Sequence, residues 1–202
     1  MLVKKLLTVS LLTAGLTLAS GAMAADNAAS CAGCHGTDGV STYPNTPTIS
    51  GMSVDYFTAT LQAFKKKTRP ATEVAITAGD KKGTKSDMVK AIADLSDADF
   101  TALAQSFAAK KFVRGKQTAD AALVAKGKDV HDKLCDKCHT EGGSVAEDDA
   151  GILAGQSMTY LKVQLADFKS GKRPSPTKMQ PKIDLMQASD IDALVAYYGS
   201  AK

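Results

Sequence analysis

The sequence predicts an all-α protein made of two similar units in tandem, on three observations. A Cys-x-x-Cys-His motif occurs twice, at 31–35 and 135–139, and accounts for all 4 cysteines of the chain. The residues that follow the two motifs match each other at a constant offset of 104. Apolar residues between the motifs recur every three or four positions, as on one face of a helix, and no stretch has a good strand pattern.

Each motif has the spacing that attaches haem covalently. The two thiols add across the vinyl groups of a haem, and the histidine that follows ligates the iron. The residues concerned are Cys31, Cys34 and His35 in the first motif and Cys135, Cys138 and His139 in the second. A zinc site or a redox-active disulfide also uses Cys-x-x-Cys, but neither requires a histidine next to the second cysteine in both copies. We therefore expect two covalently bound haem c groups.

The offset of 104 holds from the motif to an Arg-Pro pair in each half. The matched residues are Tyr56 with Tyr160, Leu61 with Leu165, Phe64 with Phe168, and Arg69-Pro70 with Arg173-Pro174. Towards the end of each half the offset becomes 91, so the first half carries 13 extra residues between Pro70 and Met88. The Gly-Asp-Lys-Lys-Gly run at 79–83 is typical of a turn, so we place the insertion there. A duplicated unit explains the pattern.

The periodicity and the repeat together predict the domain organisation. Helices are expected at 54–67, 96–110, 121–132, 158–170 and 189–198. The predicted segments are a signal peptide at 1–24, a first domain at 25–110, a linker at 111–120 and a second domain at 121–202. We expect Phe112 and Val113 of the linker to pack against a domain. Each unit is too small for a large core of its own, so the haem is expected to complete it.

The first 24 residues have the features of an export signal. Lys4 and Lys5 precede an apolar stretch at 6–19 that is too short to span a bilayer comfortably. Ala22-Met23-Ala24 then gives a small-x-small cleavage pattern. We expect a mature chain from about Ala25 that is exported to the periplasm and is not transmembrane. An uncleaved membrane anchor is the alternative.

The composition does not favour a nucleic-acid partner. The 25 lysines and arginines barely exceed the 21 aspartates and glutamates, and aromatic residues make up only 5% of the chain. Two local basic clusters occur, Lys65-Lys66-Lys67 with Arg69, and Lys110, Lys111, Arg114 and Lys116. Charge of this kind usually lies on solvated helix ends. The alternative is docking to an acidic redox partner.

The sixth iron ligand must come from outside the motifs. Among the 7 methionines, only Met88 and Met179 coincide in the register of offset 91, and each precedes a closing helix by a similar distance. We predict them as axial ligands opposite His35 and His139, with a gap-filling role in the core as the alternative. His131 lies one helical turn before Cys135, on the segment that delivers His139, so its side chain reaches the opposite face of the haem only with difficulty. We predict a structural or surface role for it, with a distal iron ligand as the alternative.

The residues quoted above resemble those of dihaem class I cytochromes c. The segment Cys-Ala-Gly-Cys-His-Gly-Thr-Asp-Gly at 31–39 is similar both to the cytochrome c4 family and to the cytochrome subunit of flavocytochrome c sulfide dehydrogenase. The segments 131–143 and 152–156 look closer to the latter. The resemblance implies two tandem class I cytochrome c domains about a pseudo-twofold axis, with haem propionates meeting near their interface. It also implies electron transfer without a catalytic site on this chain.

The resemblance offers two functions. The first is the haem subunit that accepts electrons from an FAD-bearing sulfide dehydrogenase subunit and so takes part in sulfide oxidation. The alternative is a freestanding cytochrome c4-type carrier to a terminal oxidase or other acceptor. A dihaem peroxidase is disfavoured because both irons are expected to be six-coordinate. Flavin would have to lie on the partner, since this chain has no Gly-x-Gly-x-x-Gly after a strand.

Two departures from the family pattern concern the ligand histidines and the first domain. In these domains a carbonyl next to a proline often holds the ligand histidine. Pro44 or Pro47 can serve in the first half, whereas Gly151 stands at the matching place in the second half. We therefore expect other backbone to support His139, and two unequal haems. The first half also has only 25–30 before its motif, so its N-terminal helix is expected to be truncated or missing.

Overall fold

The computed structural model describes residues 28–201, which form two helical units joined by an extended segment. The first unit contains α1 (helical at 28–35), α2 (Val54–Lys65), β1 (Val74–Ala75), β2 (Lys85–Ser86), α3 (Met88–Ala91) and α4 (Asp97–Ala108). The second contains α5 (Ala121–Leu134), the single irregular turn α6 (Thr140–Gly143), α7 (Met158–Lys169), α8 (Gln180–Leu185) and α9 (Ala188–Gly199). Two short 3₁₀ turns, Thr37–Gly39 and Ala146–Asp148, each follow a motif.

This arrangement confirms the predicted all-α class. All five helices expected from the periodicity are present, with ends that differ by one or two residues from the pattern. The predicted signal peptide at 1–24 lies outside the described residues. Within the described part of the chain, no helix combines the length and the apolar character needed to cross a bilayer.

Polar caps fix where the repeated helices begin. The Ser53 hydroxyl accepts a hydrogen bond from the Tyr56 amide at the start of α2, and Ser157 does the same for Tyr160 at the start of α7. At α4, Ser96 and Asp99 form a reciprocal capping box. Such caps satisfy amides that have no partner within the helix and are worth about 1 kcal/mol each. The duplicated sequence therefore specifies duplicated helix starts.

Each unit has its own apolar core. In the first, α2 packs on α4, and the rings of Phe57 and Phe107 stack with their centroids 5.5 Å apart. In the second, α5 and α7 both pack against α9, whose Leu194 and Tyr198 are almost fully buried. Cys31 packs against the first core and Cys135 against the second. The two motifs are therefore delivered to two separate cores.

The insertion in the first unit folds as a small hairpin, and the run at 79–83 forms its turn, as the sequence predicts. Strands β1 and β2 pair antiparallel, with Val74 opposite Ser86, so the expectation that no strand occurs is wrong at this place. The strands are only two residues long, too short to give a periodic pattern. Beyond β1, the amide and the hydroxyl of Thr77 both donate to the Gly33 carbonyl, at 2.8 Å and 2.9 Å. The insertion thus braces the first motif.

The two units meet through pseudo-symmetric contacts. The Gln156 side chain bonds twice to the backbone of Thr48, accepting from its amide at 3.1 Å and donating to its carbonyl at 2.7 Å. At the matching positions, the Ile152 amide lies 3.3 Å from the Met52 sulfur. At the offset of 104, Gln156 matches Met52 and Ile152 matches Thr48. The two units therefore use the same positions for their contact, as in an interface with twofold symmetry.

The linker is held in place by both units. Phe112 packs against the first core, as expected, whereas Val113 is 48% exposed and does not. Gln117 donates to the Gln156 carbonyl at 2.8 Å and accepts from the Met158 amide at 2.8 Å. These contacts fasten the second half of the linker to the start of α7.

Candidate haem sites

The first motif presents a histidine that is oriented for metal binding. His35 is 8% exposed, and its Nδ1 donates to the Pro47 carbonyl at 2.9 Å. Because a carbonyl can only accept, Nδ1 carries the hydrogen and Nε2 remains as the nitrogen available to iron. Burial lowers the pKa of His35, which favours the neutral ring that a metal requires. Of the two candidate prolines, Pro47 is the one that provides the carbonyl.

The second motif lacks the corresponding support. His139 Nδ1 is buried and has no hydrogen-bond partner among residues 28–201, so the expectation of a substitute backbone carbonyl is wrong there. Gly151, at the position that matches Pro47, has φ +69°, which the proline ring cannot adopt. A Cβ at Gly151 would lie 2.5 Å from the Tyr56 ring. The contact with Tyr56 therefore requires glycine where a proline would otherwise stand.

The first thiol of each motif, Cys31 or Cys135, packs against the core of its unit, whereas Cys34 is half-buried and Cys138 is exposed. Burial raises the pKa of Cys31 to about 11, with a further contribution from Cys34, and burial also raises the pKa of Cys135. No disulfide joins the cysteines, and no group of three metal-binding side chains occurs in the described part of the chain. The first thiol of each motif thus lies beside an apolar core, which fits the vinyl edge of a haem.

Both predicted methionines lie beside the core that holds the thiol of their own unit. Met88, the first residue of α3, packs against the first core together with Cys31. Met179, just before α8, packs against the second core together with Cys135. Both are half-buried. In contrast, Met186 is 3% exposed and fills the second core.

His131 has a structural role. Its ring is only 1% exposed, and Nδ1 lies 2.9 Å from the Tyr198 hydroxyl. Its Nε2 lies 3.3 Å from the Asp136 carboxylate. Its burial and its contact with Tyr198 support the structural role rather than a surface position.

The position predicted for one arginine, Arg69, is wrong. Its basic neighbours predict an exposed position for Arg69, but the residue is 6% exposed and its guanidinium reaches α7 of the other unit. The chain bends back after α2, since the Arg69 amide bonds to the Ala63 carbonyl, and this bend turns the side chain inwards. The indication available in the sequence was the match of Arg69 with Arg173 in the repeat.

Comparison with known proteins agrees with this architecture. Residues 19–105 match the family model described as cytochrome c, and residues 122–197 match the model described as cytochrome C oxidase, cbb3-type, subunit III. The chain is 33% identical to cytochrome c4 of Pseudomonas aeruginosa over 96% of both chains. The chain belongs to the cytochrome c4 family. A family member from Stutzerimonas stutzeri is 32% identical over 96% of this chain and 97% of its own.

Solved structures support the same assignment to the cytochrome c4 family. Reduced recombinant cytochrome c4 from Pseudomonas stutzeri has a TM-score of 0.71 and 28% identity, covering 91% of this chain and 98% of its own. Cytochrome c4 of Acidithiobacillus ferrooxidans has a TM-score of 0.67 and 25% identity, covering 85% and 99%. A thiosulfate dehydrogenase from Marichromatium purpuratum shares the fold at 22% identity and a TM-score of 0.68, with 89% of this chain matching 39% of that one.

Family membership and the two motifs together confirm the cofactor prediction. The protein carries two covalently bound haem c groups and is an electron-transfer cytochrome of the c4 type. The fold prediction of two tandem cytochrome c domains is likewise confirmed. The full-length relatives described above are cytochromes c4, and this favours the cytochrome c4 alternative over the sulfide dehydrogenase subunit.

Proposed function

We propose that this protein is a freestanding periplasmic electron carrier that delivers electrons to a terminal oxidase or another acceptor. The observation that carries the proposal is the end-to-end match with cytochrome c4, which covers 96% of both chains. The match includes both haem motifs and the segment between them. In this role the chain binds no substrate of its own, and its task is to hold two redox centres and present them to partner proteins.

The side chains proposed to hold the haems divide between the two units. The thioether bonds would come from Cys31 and Cys34 in the first unit and from Cys135 and Cys138 in the second. The axial pairs would be His35 with Met88 and His139 with Met179. Each bound haem supplies an iron that takes up and releases one electron, and methionine ligation raises its potential. The unequal support of the two histidines favours two haems of unequal potential.

A second candidate function is the haem subunit of a flavocytochrome c sulfide dehydrogenase. The segment 131–143 resembles the cytochrome subunit of flavocytochrome c sulfide dehydrogenase, and it includes the second haem motif. In that case an FAD-bearing partner would remain bound to this chain and pass electrons to it. The freestanding carrier takes precedence because the full-length relatives described above are cytochromes c4.

Purification of the native protein separates the two functions. We expect the cytochrome to be purified from the periplasmic fraction at low ionic strength as a dihaem protein. Its spectrum should lack the flavin absorbance that one FAD per chain would give. We also expect the reduced protein to be reoxidised by membranes of the same organism, with cyanide blocking the reaction if a haem-copper oxidase is the acceptor. An FAD-bearing subunit that stays bound through two chromatographic steps would instead establish the sulfide dehydrogenase assembly.

A further inference from the structure

The hairpin of the first unit presents three lysines that have no acidic partner. These hairpin lysines, all of them exposed, are Lys81, Lys82 and Lys85. Among residues 28–201, no carboxylate lies within 4 Å of their ammonium groups, whereas the neighbouring Lys90 pairs with Glu73 at 3.2 Å. Asp80 is the one acidic residue of the turn at 79–83. The hairpin therefore carries a net positive charge towards solvent.

Hydrogen bonds fix the shape of the turn that carries these lysines. The Gly83 amide donates to the Ile76 carbonyl, and the Ile76 amide donates to the Thr84 carbonyl, both at 2.9 Å. The Thr84 hydroxyl also donates to the Lys81 carbonyl, at 2.7 Å. A partner that binds here finds an ordered backbone, and the ordering of loops is one of the main costs of association.

The same hairpin is attached to the first haem motif. The Thr77 amide donates to the carbonyl of Gly33, which lies between the two cysteines of the motif, at 2.8 Å. Lys81 follows Thr77 by 4 positions, so at most about 14 Å of extended chain separates it from this contact. Residues 31–34 of the motif are themselves only half-buried. A protein that contacts the hairpin lysines is therefore brought close to the edge at which the first haem is attached.

The second haem motif has no such surface. The chain of the second unit runs from Pro174 to Met179 without the insertion, and residues 121–201 form no hairpin. The exposed charges next to the second motif alternate in sign, namely Asp132, Lys133, Asp136 and Lys137. The pseudo-symmetric molecule is thus electrostatically asymmetric, with a group of unpaired lysines beside the first motif and mixed charges beside the second.

We propose that Lys81, Lys82 and Lys85 form the docking surface for an acidic face of a redox partner protein, which exchanges electrons with the first haem. The proposal rests on the function proposed above, in which the chain passes electrons between separate proteins. One electron moves between the first haem iron and the redox centre of the partner, so that one is reduced as the other is oxidised. Complementary charge accelerates such encounters and orients the partner.

An anionic membrane fits this surface less well than an acidic protein. The segment 79–85 consists of glycine, aspartate, lysine and threonine, so it has no apolar side chain that could enter the lipid. Peripheral attachment to a membrane ordinarily combines positive charge with buried apolar area.

The test compares the rates at which membranes of the same organism reduce the holoprotein, with NADH and cyanide present, and reoxidise it without them. The variant is Lys81→Gln/Lys82→Gln/Lys85→Gln. We expect the second-order rate constant in at least one direction to fall about tenfold at an ionic strength of about 10 mM. The difference should disappear near 1 M salt, where the Debye length is only about 3 Å. The corresponding triple arginine variant keeps the charges and should react like the wild type.

The matched control is Lys111→Gln/Lys116→Gln/Lys133→Gln, which removes the same net charge from exposed positions in the linker and in α5. Its effect on both rates should be much smaller, because these lysines lie outside the proposed surface. Hexacyanoferrate(III), a small anion, gives a second measurement that does not depend on the partner. The hairpin variant should slow the oxidation of the reduced holoprotein by this reagent more than the control variant does.

Three results would overturn the proposal. The first is an equal loss of rate in the hairpin and control variants, which would show that only net charge matters. The second is an unchanged reaction of the hairpin variant with hexacyanoferrate(III). The third is sedimentation of the wild type, but not of the hairpin variant, with phosphatidylglycerol vesicles while the rates with membranes stay unchanged, which would show that the lysines bind lipid. Membranes that fail to react with the wild type would contradict the carrier function instead, and the hexacyanoferrate comparison would then decide on the hairpin by itself.

Discussion

Replacing Met88 or Met179 by alanine will remove half of the near-infrared thioether–iron charge-transfer band, and the double replacement will remove all of it. The reason is that each methionine is placed beside the thiol of its own unit, in a core that the other methionine does not enter. A thioether favours reduced iron, so its loss lowers the potential of that haem. We expect a fall on the order of 0.1 V, within the range of about 0.8 V over which axial ligands set haem potentials.

The matched control for these variants is Met186→Leu. Met186 is 3% exposed in the second core, and it has no methionine at the matching position of the first unit. We expect both the band and the potentials to be unchanged, with only a small loss of stability because the two side chains have similar volumes. An unchanged band in both Met88→Ala and Met179→Ala, or a lost band in Met186→Leu, would show that the proposed ligands are wrong.

Replacing Gly127 by alanine will destabilise the second unit strongly. A Cβ at this position would lie 2.0 Å from the Ala193 carbonyl oxygen, because α5 crosses α9 there with its backbone in close contact. The neighbouring atoms belong to a backbone and cannot rotate away, so the two helices must separate. Overpacking of a core costs typically about 1–3 kcal/mol and sometimes more, and this overlap should reach about 3 kcal/mol.

The sign of this effect is informative because helix propensity predicts the opposite. Alanine in a helix interior is favoured over glycine by about 1 kcal/mol, so a free helix would be stabilised. A loss of about 3 kcal/mol corresponds to a melting temperature lowered by roughly 10–20 °C in a domain of this size. Thermal unfolding followed by circular dichroism measures the change. The control is Ala125→Ser, at an exposed position on the same helix, which should stay within about 0.5 kcal/mol of wild type. Equal or greater stability of Gly127→Ala would contradict the close crossing of α5 and α9.

The repeat explains why so much of the fold could be predicted. Residues that match at the same offset have similar surroundings in the two units. Each helix prediction is therefore supported by two segments of the sequence. The helix starts at Ser53 and Ser157 are an example, because the same capping serine precedes the same apolar spacing. The covalent haem motifs were equally easy to recognise in the sequence, since their chemistry depends on residues that are close together in the chain.

Features that depend on contacts between distant residues could not be predicted in the same way. Arg69 follows three lysines, and by composition it belongs with them on the surface. Its burial depends on α7, 91 residues away at Tyr160, and on the turn after α2. The missing support of His139 has a similar origin, because Gly151 is required by the approach of the Tyr56 ring from the other unit.

An all-α, duplicated protein with two covalent haems could be predicted before the structure was known, and so could the two methionines that correspond in the halves. These properties follow from local spacing and from a repeat that is read along a single chain. The way in which the two units face each other is visible only in the folded molecule. Their contact pairs Gln156 with Thr48 and gathers two arginines around one amide oxygen. Such contacts depend on burial and on close packing between units, and neither is encoded in the periodicity of either unit alone.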